Sequence, residues 1–247
     1  MSGHNKWAKI KHTKAKTDAA RGRIFTRLIK EISVAARMGG GDENGNPRLR
    51  KAIQDARAQN MPVSNIERAI KKGTGELEGV NYEEVTYEGY GSGGAALIID
   101  AVTDNKNRAV SEIRHIFSKH NGTMAESGAV SWMFEKKGII TVHSSGKSED
   151  DLMMLALEAG AEDIKYDEEM SDILTSPGDF DKAREALQKL GIKIEEATLG
   201  MYPKNLLKLE GKDAEQTLKL VEVLEEHDDV QRVFSNFDID EEIMSKS

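Results

Sequence analysis

The residues whose types and spacing most plainly do chemistry are cations. Lys6, Lys9, Lys11, Lys14 and Lys16, followed by Arg21, Arg23, Arg27 and Lys30, place nine positive charges in the first thirty residues against one acid, Asp18. The chemistry of such a run is neutralisation of phosphate, which releases condensed counterions whatever the base sequence. Trp7 and His12 sit among the lysines. Either these rings stack on exposed bases or ribose, or Trp7 is an apolar pin that fastens the arm to the body. The sequence leaves both readings open.

The positive excess is local. The chain of 247 residues has a formal net charge of −8, yet residues 1–74 hold 17 of its 35 Lys and Arg and six of its 43 acids. A basic front on an acidic body implies a polyanionic partner, and nucleic acid is the first candidate, as DNA or as ribosomal RNA, with the ribosome itself a further one. The polar faces that follow keep the sign with Arg48, Lys51, Arg57, Arg68, Lys71 and Lys72. Any one of these also fits an ordinary solvated helix face. The expected nucleic-acid site is therefore Lys6, Trp7, Lys9, Lys11, His12, Lys14, Lys16, Arg21, Arg23, Arg27, Lys30, Arg48, Lys51, Arg68, Lys71 and Lys72.

Patterns for other chemistry are weaker. Gly89-Tyr90-Gly91-Ser92-Gly93-Gly94 satisfies G-x-G-x-x-G, but a dinucleotide loop must open a helix, and Ala95 to Val102 reads as a strand. Gly146-Lys147-Ser148 imitates the end of a P-loop, but the first glycine of that motif falls on Thr141, and Glu149, Asp150 and Asp151 crowd the place a triphosphate would take. Those acids suit the start of a helix by themselves. Six histidines include no i,i+4 pair, and there is no cysteine for a thiolate ligand or nucleophile. The expectation is a protein that is not an enzyme, with no cofactor and no metal. A cleft between its α/β domains is the one place an activity would sit.

No window reaches the eighteen or more apolar residues of a membrane span, so no membrane partner is expected. The basic, acid-poor start imitates a transit peptide, but its cations run straight into the first amphipathic helix without a leader. A cytoplasmic monomer is the expectation.

Several elements must carry these residues. Ile24, Phe25, Leu28, Ile29, Ile32, Ala35 and Ala36 recur at helical steps, and Gly39-Gly40-Gly41 ends the helix. Asn46 and Pro47 open a second, and Ser64-Asn65-Ile66-Glu67 reads as a capping box for a third closed by Gly73. From residue 84 the pattern is strand, glycine turn, strand, a helix after Thr103-Asp104-Asn105, and a strand over 129–134. Residues 138–198 then read as strand, helix, strand, strand, helix, strand, which is the split βαβ or ferredoxin-like order. The tail, Leu206 to Phe234, supplies the missing half of the sheet begun at 84, and residues after 240 read as frayed. The fold class is α+β in three domains: a basic helical domain at 1–76, a discontinuous α/β domain at 77–136 plus 204–240, and a ferredoxin-like domain at 137–203 inserted into it.

Five stretches, in order, carry a resemblance: Gly3 to His12, Arg23 to Ile29, Tyr87-Glu88-Gly89-Tyr90-Gly91, Thr103 to Arg108, and Ser131-Trp132-Met133-Phe134. Together they resemble the bacterial YebC family, whose mitochondrial relative is a translational activator of a cytochrome oxidase subunit. The resemblance implies a helical N-terminal domain with two α/β domains and no enzymatic activity. It implies a DNA-binding transcriptional regulator, or a ribosome-associated factor that assists translation of difficult stretches such as proline runs. Gly122-Thr123-Met124-Ala125-Glu126-Ser127-Gly128 departs from the Gly-Asn-Leu-Gly-Glu-Ser-Gly that members commonly carry.

Overall fold

A computed structural model describes residues 18–144 and 146–240. It opens with α1 (Asp18–Gly39), α2 (Pro47–Ala58) and α3 (Val63–Thr74). The helical period of α1 turns Ile32, Ala35 and Ala36 onto Leu49, Ile53, Ile66 and Ala69 in one small core. Asn46 caps α2 by accepting the Leu49 N–H at 3.1 Å, and its amide donates to the Ala35 and Gly40 carbonyls. One side chain thus ties two helices together.

The third helix departs from the expected capping box. It starts two residues earlier, with Pro62 as the capping residue and no side-chain cap, so Ser64 lies exposed in the first turn. Pro62 sets how the chain enters the helix, because its ring fixes φ and its carbonyl accepts the Asn65 N–H at 2.9 Å. Nor does Gly73 close the helix; Gly75, at φ +84°, does so in the left-handed conformation. Gly73 serves packing instead: a Cβ there would lie 2.3 Å from the Ser33 carbonyl oxygen of α1.

The α/β part runs β1 (Glu83–Tyr90), β2 (Ala96–Thr103), α4 (Lys106–Lys119), β3 (Thr123–Ala125), β4 (Phe134–His143), α5 (Glu149–Glu158) and β5 (Asp163–Lys165). It continues with β6 (Met170–Thr175), α6 (Phe180–Lys189), β7 (Ile194–Pro203), β8 (Leu207–Lys208), α7 (Gly211–Glu226), β9 (Val230–Ser235) and β10 (Phe237–Asp238). One antiparallel sheet has the order β3-β1-β2-β9 and a second β5-β6-β4-β7. In the first, Leu97, Ile99 and Val233 meet Ile113 and Phe117 of α4 and Leu218 and Val221 of α7. In the second, Ile140, Val142 and Ile173 meet Leu152 and Ala156 of α5 and Ala183 and Leu187 of α6. As the tail pattern implies, β9 pairs with β2 and protects that edge. The glycine run is a hairpin turn between β1 and β2, with Gly93 and Gly94 at positive φ.

The strand expected over 129–134 is not there. Ser131–Met133 form a single 3-10 turn, and β4 runs unbroken from Phe134 through the stretch expected to begin at 138, so the boundary placed at 136 falls inside a strand. The cause is Glu88. Its buried carboxylate accepts the N–H groups of Gly128, Val130 and Ser131 at 2.8, 2.7 and 2.9 Å, which are donors that a ladder would need. Burial works against the ionised form, but these bonds outweigh it and hold the Glu88 carboxyl below the usual range. The short β3 beside β1 escaped the sequence pattern.

Candidate nucleic-acid interface

Steps of four and three along α1 put Arg23, Arg27 and Lys30 on one helical face. That face is turned toward the acidic body. Lys30 is buried, its ammonium 2.6 Å from Asp229 Oδ1 and 2.9 Å from the Asp228 carbonyl. Arg23 reaches Glu226 at 3.4 Å. Arg27 is half-buried between them. Burial and the neighbouring Arg23 lower its pKa, while Glu225, Asp228 and Glu226 oppose that shift. Arg48, at the start of α2, grips Glu31 of α1 at 2.7 and 3.0 Å and Glu84 of β1 at 2.6 and 3.1 Å. The planar guanidinium suits such two-pronged carboxylate contacts, and they raise its pKa further.

Asp229 is the centre of this contact. Besides Lys30 it accepts Arg108 at 2.7 Å and the Thr103 hydroxyl at 2.9 Å, and Lys30 also lies 5.7 Å from the centroid of the Tyr82 ring. Burial alone would lift the Asp229 carboxyl, but Lys30, Arg108 and Thr103 hold it below the usual carboxylate range. Glu112, His227 and Asp229 have the spacing of a metal-ligand group. Their bonding argues for a different role: the Asp229 backbone N–H donates to His227 Nδ1, His227 Nε2 faces Glu112 at 2.9 Å, and two cations already neutralise the Asp229 carboxylate.

The predicted site therefore divides. Lys6, Trp7, Lys9, Lys11, His12, Lys14 and Lys16 lie outside the described residues. Arg23, Arg27, Lys30 and Arg48 face the protein's own acids, and Lys30 is withdrawn from any external phosphate because burial and Asp229 already hold its amine. Lys51 is paired with Asp55 at 2.5 Å. Arg21 is exposed, 5.4 Å from the Phe25 centroid, and Arg68, Lys71 and Lys72 are exposed along one side of α3. Sequence reading left out Arg37 and Arg50, both exposed. Arg50 left no signal: its donors hold the Glu43 and Asn44 carbonyls of the turn before α2, which a lone arginine in the sequence does not announce.

The chemical decoys resolve into structure. The Ser148 hydroxyl accepts the Asp151 N–H at 3.2 Å while Asp151 reaches back to Ser148, so Gly146-Lys147-Ser148 introduces a capping box. A depression between α4 and α7 has a volume near 180 Å³ and is lined by Lys119, His120, Asn121, Glu215, Gln216 and Lys219. That is below the roughly 300 Å³ at which small-molecule sites begin. Among the described residues no helix is long and apolar enough to cross a membrane.

Residues 5–76 match the model of the TACO1/YebC protein N-terminal domain, and residues 82–237 that of the TACO1/YebC second and third domain. A probable transcriptional regulatory protein of Geobacter sulfurreducens is 57% identical over 246 residues, covering 100% of this chain and 99% of the relative. Another, from Desulfatibacillum aliphaticivorans, is 54% identical with 100% of both chains covered. The crystal structure of a conserved hypothetical protein from Aquifex aeolicus is similar at a TM-score of 0.82 and 49% identity, over 92% of this chain and 93% of that one.

Proposed function

The chain belongs to the TACO1/YebC family, and from that premise we propose that it is a non-enzymatic, cytoplasmic nucleic-acid-binding regulator of gene expression, a DNA-binding transcriptional regulator of the YebC type. The relatives it matches end to end are named probable transcriptional regulatory proteins. The observation that carries the reading is charge left over after folding. Internal acids hold Lys30 and Arg48, yet Arg68, Lys71 and Lys72 remain exposed on a domain whose opening arm adds five lysines. Cations of this kind position a protein on a phosphate backbone and carry no base information themselves. The domain reading that accompanies it keeps a helical unit at 1–76 and a unit at 77–136 with 204–240, with a ferredoxin-like unit at about 137–203 inserted between them. The antiparallel order β5-β6-β4-β7 supports the last of these.

A second reading, a ribosome-associated factor on folded ribosomal RNA, is favoured by Arg48. At the head of α2 it would lead a helix-turn-helix, but it is held by Glu31 and Glu84, which leaves backbone-type contacts. Crosslinking in cells, followed by sequencing of bound DNA and bound RNA, decides. Promoter fragments without ribosomal RNA support the regulator, and ribosomal RNA without promoter fragments rejects it.

A further inference from the structure

The middle of helix α5 is apolar around its whole circumference. Leu152-Met153-Met154-Leu155-Ala156-Leu157 are six consecutive apolar residues in one helix, and a helix of that kind is ordinarily covered on every side. Here one side is bare. Leu152 and Ala156 are buried against the second sheet and Met153 and Leu155 pack at its margin, but Met154 and Leu157 are 65% and 57% exposed. They stand three residues apart, so they form one solvent-facing step. Helical spacing sets Asp150 and Asp151 one turn before Met154 and Glu158 one turn after it, and all three are exposed. The acidity is general: residues 137–203 hold 15 acids against seven Lys and Arg.

We infer that this face of α5 docks a basic amphipathic segment of another protein, whose apolar side chains cover Met154 and Leu157 while its lysines or arginines meet the surrounding carboxylates. The charge selects that occupant. A nucleic acid would be repelled by the rim. A second copy in a two-fold contact would set the same acids against each other, since such an interface brings one patch onto itself. A basic partner gains from both the apolar centre and the charged rim, which is the usual anatomy of a transient interface.

The test uses the full chain and a fluorescent 18-residue amphipathic peptide of leucine and lysine as probe, with a leucine and glutamate peptide as control. Anisotropy is expected to show saturable binding of the lysine peptide, weakened by salt, and no binding of the glutamate peptide. Met154→Ser with Leu157→Ser is expected to weaken it roughly tenfold, as befits a modest apolar centre. Asp150→Lys with Glu158→Lys does the same from the rim and stands in if the first variant fails to fold. Unchanged affinity in the folded variants overturns the inference, as does equal binding of the glutamate peptide. A concentration-dependent dimer in sedimentation that Met154→Ser with Leu157→Ser abolishes also overturns it, because the occupant would then be a second copy.

Discussion

Lys30 and Asp229 stand 199 residues apart in the chain and 2.6 Å apart in the fold, with only 7% and 3% of their side chains exposed. The pair joins α1 to the strand β9 region and so fixes the helical unit on the α/β body. Removing one partner of a buried pair costs about 3–5 kcal/mol, because the other charge stays behind without compensation. Lys30→Met leaves Asp229 with Arg108 and Thr103 and is expected at the low end of that range. Asp229→Ala leaves the Lys30 ammonium with the Asp228 carbonyl and is expected at the high end. Urea unfolding checks both, and losses below about 1 kcal/mol would reduce the pair to the worth of a surface contact.

Acid is expected to loosen the same joint. Asp229 has its folded pKa lowered from an ordinary value of 3.8, so the unfolded chain binds this proton more readily than the folded one. The stability it supplies is whole above that ordinary value and is lost as pH falls through the lowered one. Stability measured between pH 6 and pH 2 is expected to fall less steeply in Asp229→Asn than in the parent. Parallel curves would assign the acid sensitivity to other carboxylates.

Glu88 is expected to govern the loop ahead of β4. Glu88→Ala strands the buried N–H of Val130 along with those of Gly128 and Ser131, at about 1–3 kcal/mol for each donor left without a partner or water. Glu88→Gln keeps one accepting oxygen and is expected to lose about half as much. Hydrogen exchange should show residues 126–131 losing protection in Glu88→Ala before any helix does; unchanged protection would mean the loop is held by Tyr90, whose hydroxyl donates to the Ala129 carbonyl at 3.1 Å.

Periodicity made the helices and most strands legible, because burial of one face acts within a few residues. Asn46 was readable as a cap for the same reason, accepting the N–H three residues ahead. The misplaced ends of the third helix were local, but two departures came from long-range contacts. The 129–134 stretch has a strand composition, but Glu88, some 40 residues upstream, takes its donors. The basic site was legible as charge and not as exposure. Arg23, Lys30 and Arg68 look alike in sequence, and only the fold sets the first two against Glu226 and Asp229 and leaves the third in solvent.

Gly73 offers a case in which local and tertiary preferences oppose one another. In a free helix Gly73→Ala would stabilise by about 1 kcal/mol. In this fold the new Cβ would fall 2.3 Å from the Ser33 carbonyl and 2.8 Å from Ala36 Cβ, so α1 and α3 must separate. Overpacking of this kind costs about 1–3 kcal/mol, and the net change is expected to be destabilising. Thermal unfolding gives the sign directly, and a raised midpoint would show that the two helices part without loss.

The exposed cations of α3 make a prediction about salt that the buried ones do not. Each cation that neutralises a phosphate accounts for roughly 0.7 to 0.9 of the slope of log affinity against log salt, the lower figure for single strands and the higher for duplex DNA. Arg68→Ala, Lys71→Ala and Lys72→Ala together are expected to flatten that slope by about 2 to 3 if all three touch phosphate. Lys30→Met is expected to leave it unchanged in folded protein, because that amine is closed off by Asp229. Lys51→Ala removes a cation that is 44% exposed and only weakly paired with Asp55, so it is expected to flatten the slope by less than one α3 residue does. Titrations of fluorescent duplex DNA and of a ribosomal RNA fragment at several salt concentrations measure these slopes. A slope that responds to Lys30 and ignores the α3 residues would mean that the helical unit lifts off the body before it binds.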